Sequence, residues 1–260
     1  MDIREHNRKA WDKKVQEQNR WTLPVDSEIV GRAKDGILEI VLTPSKPVPM
    51  SWFPDLQRLP TLCLASGGGQ QGPLLAAAGC EVIVFDNSPS QLEQDRLVAE
   101  RDNLRIETVE GDMADLSAFS DGTFGLIVHP CSNCFVPDII PVWRECNRVL
   151  VDGGVLMAGF CNPVRYIFED SRFENGVLQV RYPIPHSDAN ELADPQLKHR
   201  ILDELDAYEF GHSLTDQIGG QLQSGFVITD FYEDKYGGPE SDPISDYIDT
   251  FIATRAIKSK

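Results

Sequence analysis

The chain has no apolar run approaching the 18 residues that a membrane span requires. Its first residues, Met1 to Trp21, are polar and charged and lack the apolar centre of a secretory signal. The cytoplasm is the expected compartment, with no membrane partner. Basic residues are scarce: 24 Lys and Arg stand against 41 Asp and Glu, a formal net charge of −17. Most faces of such a surface repel nucleic acid, whose binding energy comes largely from Lys and Arg on phosphates. The same field repels anionic lipid. A small neutral or cationic partner fits better, although acidity equally serves solubility alone. Internal repeats and low-complexity tracts are absent, and nothing in the sequence sets the oligomeric state. The six cysteines, at 63, 80, 131, 134, 146 and 161, mostly fall in or beside apolar segments, as reduced buried cysteines do.

Along its 260 residues the chain changes pattern several times. Residues 2–20 are helix-like, and the run Asp26-Ser27-Glu28 starts a second helix ending near Gly36. Ile37–Thr43 alternates like a strand. Prolines 44, 47, 49, 54 and 60 then mark an extended connection, on which Trp52 and Phe53 are expected to pack against the body of the protein.

From Thr61 strands and helices alternate. Strands are predicted at Thr61–Ala65, Glu81–Phe85, Leu104–Val109, Phe124–Val128 and Gly154–Phe160. Helices fall at Gly72–Gly79, Pro89–Asp102 and Asp138–Leu150, the second with Ser88 as N-cap, Pro89 at the first helical position and Gln91 completing a capping box. Near-continuous apolar strands alternating with helices point to a parallel sheet covered on both faces. The pattern breaks over 163–212, which reads as a substrate-side insertion with a strand-like piece at Val177–Tyr182 and a charged helix at Glu191–Leu205. Order returns as a helix at Leu214–Ser224, a strand at Phe226–Glu233, a Gly-Gly-Pro loop at 237–239 and a strand at Thr250–Ile257. The whole reads as one α/β domain: an N-terminal extension (1–60), a cofactor-binding core (61–160), the insertion, and a C-terminal helix and hairpin (213–260).

In open parallel sheets, ligands bind beyond the carboxyl ends of the strands, where strand order reverses. After the first core strand comes Ser66-Gly67-Gly68-Gly69-Gln70-Gln71-Gly72, whose glycines let backbone pass close to a ligand. After the second stands Asp86, seventeen residues beyond Gly69, placed to accept from both ribose hydroxyls. After the third comes Gly111-Asp112-Met113, a carboxylate for an adenine amino group and a thioether to cover the ring. Gly67-x-Gly69-x-x-Gly72 also matches the dinucleotide fingerprint. A nicotinamide-dependent oxidoreductase is therefore a rival reading.

These elements, taken in order, resemble the core of the class I S-adenosylmethionine-dependent methyltransferases (type 11 domain), over about Leu62 to Phe160. Leu62-Cys63-Leu64-Ala65-Ser66-Gly67-Gly68-Gly69 is similar to the family's first motif, and Val82-Ile83-Val84-Phe85-Asp86-Asn87-Ser88 to its second. Glu110-Gly111-Asp112-Met113 resembles the adenine-binding element. Arg148-Val149-Leu150-Val151-Asp152-Gly153-Gly154-Val155-Leu156 resembles the turn before the fifth strand. The narrower resemblance is to the small-molecule, ubiquinone-biosynthesis-like branch. It implies a Rossmann-like three-layer sandwich with a seven-stranded, mostly parallel sheet whose last strand is antiparallel. It also implies S-adenosylmethionine as cofactor, S-adenosylhomocysteine as product and a small-molecule methyl acceptor.

The cofactor-binding residues it implies are Ala65, Ser66, Gly67, Gly69, Gln70, Gln71, Asp86, Asn87, Gly111, Asp112, Met113 and His129. Two positions depart from the family: Cys63 stands where an acid is usual and Ala65 where the first glycine is usual. Backbone carbonyls, Gln70 or Gln71 are then expected to hold the amino group of the methionine moiety. The altered motif also leaves open a non-catalytic sensor of an adenosine ligand.

The fourth core strand ends in His129-Pro130-Cys131-Ser132-Asn133-Cys134-Phe135, which in this family borders the transferred methyl. It is not the Asn/Asp-Pro-Pro-aromatic tetrapeptide of enzymes that methylate nucleic-acid amines or protein amides. His129 is a candidate general base, or else a strand-end histidine bonded to backbone. Asn133 is a candidate to orient cofactor or acceptor. Cys131-x-x-Cys134 lacks the second ligand pair a structural zinc needs, so no metal is expected and small side chains packing under the cofactor are the reading. Trp11, Arg20, Trp21, Asn133, Phe160, Tyr182 and His212 are the candidate substrate contacts, and the N-terminal helix is expected to fold over the cofactor.

Overall fold

The computed structural model describes residues 2–168, 177–237 and 242–259. Helix α1 spans Ile3–Gln16: Asp2 caps it by accepting from Glu5 N, Glu5 lies in the first turn, and Lys13 and Lys14 complement the last. A single 3-10 turn, Arg20–Thr22, leads to α2 (Ser27–Lys34), capped by Asp26. The alternating segment Ile37–Thr43 is not a strand; it makes only an isolated bridge, Val41 with Pro47. Leu38, Ile40 and Leu42 are nonetheless buried. The segment packs on a face of the sheet over β5, where at Gly159 a Cβ would fall 2.0 Å from the Leu42 carbonyl oxygen. Its alternation reflects burial of one side without a neighbouring strand to complete a ladder. Trp52, in the proline-rich connection, is packed into the same core.

The core then follows in order. It comprises β1 (Pro60–Leu64), α3 (Gln71–Ala77), β2 (Glu81–Asp86), α4 (Pro89–Asp102), β3 (Ile106–Glu110), β4 (Phe124–His129), α5 (Ile140–Val149) and β5 (Leu150–Cys161). Helix α4 has the predicted limits because Ser88 Oγ accepts from Gln91 N and Asn103, at a φ of 54°, ends it. The insertion holds a two-stranded sheet, β6 (His186–Ser187) and β7 (Phe210–Gly211). The helix expected over Glu191–Leu205 shrinks to α6 (Pro195–Lys198) and a π-type turn, His199–Asp203. Pro195 lacks an N–H and so fits the start of a helix rather than its interior. Val177–Tyr182 contributes only a bridge between Val180 and Phe168. Leu214–Ser224 likewise divides into a π-type turn, Thr215–Gly219, and α7 (Gly220–Gln223). The hairpin β8 (Phe226–Asp234) and β9 (Phe251–Lys258) closes the chain; most of the 237–239 loop lies outside the described residues.

The main sheet has seven strands in the order β3-β2-β1-β4-β5-β9-β8, parallel throughout except for β9, which is antiparallel to both neighbours. Alternate residues feed two cores. Cys63, Val84, Val128 and Met157 face Val30, Leu75, Leu92 and Val98 of α2, α3 and α4. Leu62, Leu64, Ile127 and Leu156 face Val142, Trp143 and Cys146 of α5. This helix–sheet–helix layering is the Rossmann-like architecture that the strand pattern requires. Strand order reverses between β1 and β4, so the segments following those strands frame the crevice where ligands bind in such sheets. Among the described residues, no helix is long and apolar enough to cross a membrane.

Candidate active site

A cavity of about 640 Å³ opens at the carboxyl ends of β1 to β5, within the range of small-molecule sites. Ala65, Ser66, Gly67, Gln70 and Gln71 line it from the loop after β1, Asp86 and Asn87 from the end of β2, and Gly111, Asp112 and Met113 from the segment after β3. Three predicted clusters, each following a different strand, therefore share one cavity. Gly69 does not line it. Gly69 is held under Pro24, where a Cβ would lie 2.7 Å from the proline Cβ, and its carbonyl accepts from Val25 N.

Asp86 is held by backbone. Its Oδ2 accepts from Gly67 N at 2.9 Å and its Oδ1 from Ser88 N at 2.9 Å. Burial pushes this carboxyl above its ordinary value, while the Ser88 and Gly67 N–H groups oppose the shift. Each oxygen keeps a lone pair for a further donor. A second acid, Asp95 on α4, is fully buried beneath the glycine loop and accepts from Gly68 N and Gly69 N at 3.1 Å each. Burial pushes Asp95 up to about 8, against the pull of those two N–H groups. The sequence reading missed Asp95, although its place on the α4 face that carries the buried Leu92 and Val98 marks it as a carboxylate in a core.

Helix α1 forms the roof. Arg4, Asn7, Trp11 and Lys14 line the cavity. Arg4 Nε donates to Asn87 Oδ1 at 3.0 Å, and Asn87 Nδ2 donates back to the Arg4 carbonyl at 3.0 Å. Asp12 Oδ1 accepts from Ser88 Oγ at 2.7 Å. On the other side, buried Asn7 donates to the carbonyls of Phe135 and Tyr208 and accepts from Tyr208 N. Trp11 meets the Phe135 ring edge to face at 5.1 Å. The helix thus bridges the β2 edge of the site and the insertion.

Several expected contacts lie elsewhere. His129 has no exposed surface and is not part of the cavity wall. Its ring nitrogens lie 2.8 Å from the Leu64 carbonyl oxygen and 2.6 Å from Asn133 Oδ1, and burial lowers its pKa. Asn133 is equally buried, donating to Gln217 Oε1. The pair ties β4 to the segment before α7. His212 is buried against the carbonyls of Asn133 and Val136, and Phe160 is a core residue with no exposed surface. The Tyr182 ring lies 4.8 Å from that of His186 in the insertion, tilted by 50°. Neither His212, Phe160 nor Tyr182 lines the cavity, nor does Arg20, whose guanidinium lies 4.0 Å from the centre of the Trp21 ring. Trp21 and Trp11 do line it.

The far wall holds residues that strand-end reasoning did not select. Arg165 and Glu209 come from the insertion, and Tyr236 and Phe251 from the terminal hairpin. Glu209 accepts from the Tyr166 hydroxyl at 2.9 Å, and burial pushes it up to about 7. Five carboxylates (Asp2, Asp86, Asp112, Asp206, Glu209) face three cations (Arg4, Lys14, Arg165) across the cavity. The excess of negative charge favours a cationic ligand. Gln91, a cavity-lining residue, has a buried Oε1 with no hydrogen-bond partner among the described residues, an acceptor for a ligand donor.

Comparison with known proteins agrees with this geometry. The profile of the family described as methyltransferase domain matches residues 62–158, the stretch from β1 to β5. The chain is 51% identical over 253 residues to a Bacillus subtilis (strain 168) protein named uncharacterized methyltransferase YbaJ, covering 97% of each chain. An S-adenosylmethionine-dependent methyltransferase from Mesorhizobium loti shares the fold with a TM-score of 0.59 at 15% identity, over 80% of this chain and 94% of that one. One from Methanosarcina mazei does so with a TM-score of 0.55 at 14% identity, over 83% and 99%. With the strand-end motifs gathered round one cavity and a relative at this identity along nearly its whole length, the chain belongs to the S-adenosylmethionine-dependent methyltransferases.

Proposed function

We propose that the chain methylates a small molecule, and that the cavity under α1 holds both S-adenosylmethionine and the acceptor. The observation that carries the reading is the roof. Helix α1 is pinned at Asn87 and Ser88 on one side and at Tyr208 on the other, which covers one side of the site and suits a small acceptor better than a macromolecule. The donor set suits the cofactor: acceptor capacity at Asp86 and Asp112, a thioether at Met113, the unpartnered Gln91 Oε1, and an acidic wall for a cationic sulfonium.

When bound, S-adenosylmethionine supplies a methyl group already activated by its sulfonium. The protein's part is position and exclusion of water. Asp86 and Asp112 hold the adenosine half, and the backbone of Ala65–Gly67 runs beside the methionine half. Trp11 and Trp21 close the site. Such positioning contributes about 7–11 kcal/mol when the geometry is good. On this reading His129, buried and outside the cavity wall, serves the fold and not proton transfer. Neither the family nor the acidic cavity favours the nicotinamide reading.

The test is methyl transfer from cofactor carrying a labelled methyl, with a metabolite fraction and a macromolecular fraction of a cell extract offered separately. Label in the small-molecule products supports the proposal. Label confined to protein or nucleic acid overturns it, and cofactor binding with no label in either fraction favours a sensor.

A further inference from the structure

Three of the six cysteines meet at one wall of the cavity. Cys131 and Cys134 lie on the segment after β4, and Cys161 ends β5. These strands are parallel neighbours in register at His129 and Ala158, so the residues that follow emerge at the same end of the sheet. The three sulfur atoms lie within 4.8 Å of one another, and Cys131 Sγ and Cys161 Sγ are 3.4 Å apart. All three residues line the cavity, across β1 from Asp86 and Asp112. Cys134 and Cys161 are buried, Cys131 half-buried.

We propose that Cys131, Cys134 and Cys161 form a binding site for a trivalent thiophilic metalloid of the arsenite class, held by three sulfurs with its remaining face toward the cavity. The spacing fits a common central atom. Sulfurs about 2.3 Å from a tetrahedral centre lie about 3.8 Å from each other, so small side-chain rotations suffice. The number of ligands selects the ion. Structural zinc takes four protein ligands, and among the described residues no further His, Cys, Asp or Glu joins these three.

Charge selects in the same direction. A divalent ion on three thiolates leaves a net negative cluster, which an apolar wall of Phe135, Phe251 and Tyr236 disfavours. The neighbouring cation, Arg165, is engaged by Asp242 at 2.9 Å. A trivalent ion on three thiolates is neutral. The condensation balances: one As(OH)3 and three thiols give As(S-Cys)3 and three waters. Three As–O and three S–H bonds break, three As–S and three O–H bonds form, and no oxidation state changes.

The experiment is native mass spectrometry of the intact, reduced chain titrated with arsenite, with zinc(II) in parallel. The expected species gains one arsenic and loses three hydrogens. Cys131→Ser, Cys134→Ser and Cys161→Ser each weaken binding at least tenfold, while Cys146→Ser, on the buried face of α5, leaves it unchanged. S-adenosylmethionine titration of the same variants separates this site from the cofactor reading, on which it does not depend. Retention of a hydroxyl with loss of only two hydrogens would overturn the proposal. So would undiminished arsenite binding by the Cys161→Ser chain, or displacement of arsenite by an equal concentration of zinc(II). The wild-type mass decides the ligand count even if a variant fails to fold.

Discussion

Asp95 Oδ2 lies 3.1 Å from Gly68 N, and the same oxygen accepts from Gly69 N. A carboxyl on α4 thus fastens the glycine loop from below, in a fully buried site, and its other oxygen, Oδ1, has no hydrogen-bond partner among the described residues. Burial, opposed by those two N–H groups, raises its pKa from 3.8 to about 8.

The sign of the resulting pH dependence follows. Between those values the native chain binds a proton at Asp95 that the unfolded chain has released. Stability from this group is therefore full below the unfolded value and falls as pH rises toward the folded value. The slope is at most about 1.4 kcal/mol per pH unit. Asp95→Asn keeps an acceptor for the two N–H groups and removes the titration. Urea unfolding at mildly acid and mildly alkaline pH is expected to give a smaller alkaline loss for Asp95→Asn than for wild type. Equal losses would contradict the protonated assignment.

Ala65 occupies left-handed backbone, with a φ of 45°. An L side chain there costs about 1–2 kcal/mol, part of which glycine returns through its greater freedom when unfolded. Ala65→Gly is therefore expected to raise stability by about 1 kcal/mol, read as a higher urea midpoint. A lower midpoint would mean that the methyl group makes packing contacts worth more than the strain.

Asp86→Ala removes the acceptor assigned to the ribose and also frees Gly67 N and Ser88 N. S-adenosylmethionine binding is expected to weaken by about 1.5–3 kcal/mol, the scale of hydrogen bonds to a charged group. Asp86→Asn, which preserves one carbonyl acceptor, should lose less. Unchanged affinity in both would place the adenosine half elsewhere in the cavity.

Asn7→Ala tests the roof. It leaves the N–H and carbonyl of Tyr208 and the carbonyl of Phe135 without their partner, at a cost of about 1–3 kcal/mol. The thermal midpoint should fall, and the KM for S-adenosylmethionine should rise several-fold because α1 is released from the insertion. A lower midpoint with unchanged KM would make α1 a structural brace only.

The sheet and the gathering of three strand-end clusters at one cavity were legible because each rests on local signals. Ser88, Pro89 and the apolar run of β2 set the limits of α4, and Asp86 and Asp112 follow strands whose carboxyl ends must share an edge. Ile37–Thr43 misled because alternation reports which side chains are buried and not whether a partner strand exists. His129 stands at the expected strand end, but its ring turns into the layer beneath the cavity, toward Leu64 and Asn133. The cysteine cluster was invisible to spacing. Cys161 follows Cys134 by a helix and a strand, and only the β4–β5 register brings it back.

The central claim is that this cavity holds S-adenosylmethionine. Calorimetric titration of the purified chain with S-adenosylmethionine, S-adenosylhomocysteine and NAD(H) tests it most directly. The account predicts binding of the first two at one site per chain and none of the third. Binding of NAD(H) alone would contradict it and make the loop from Ser66 to Gly72 a dinucleotide site.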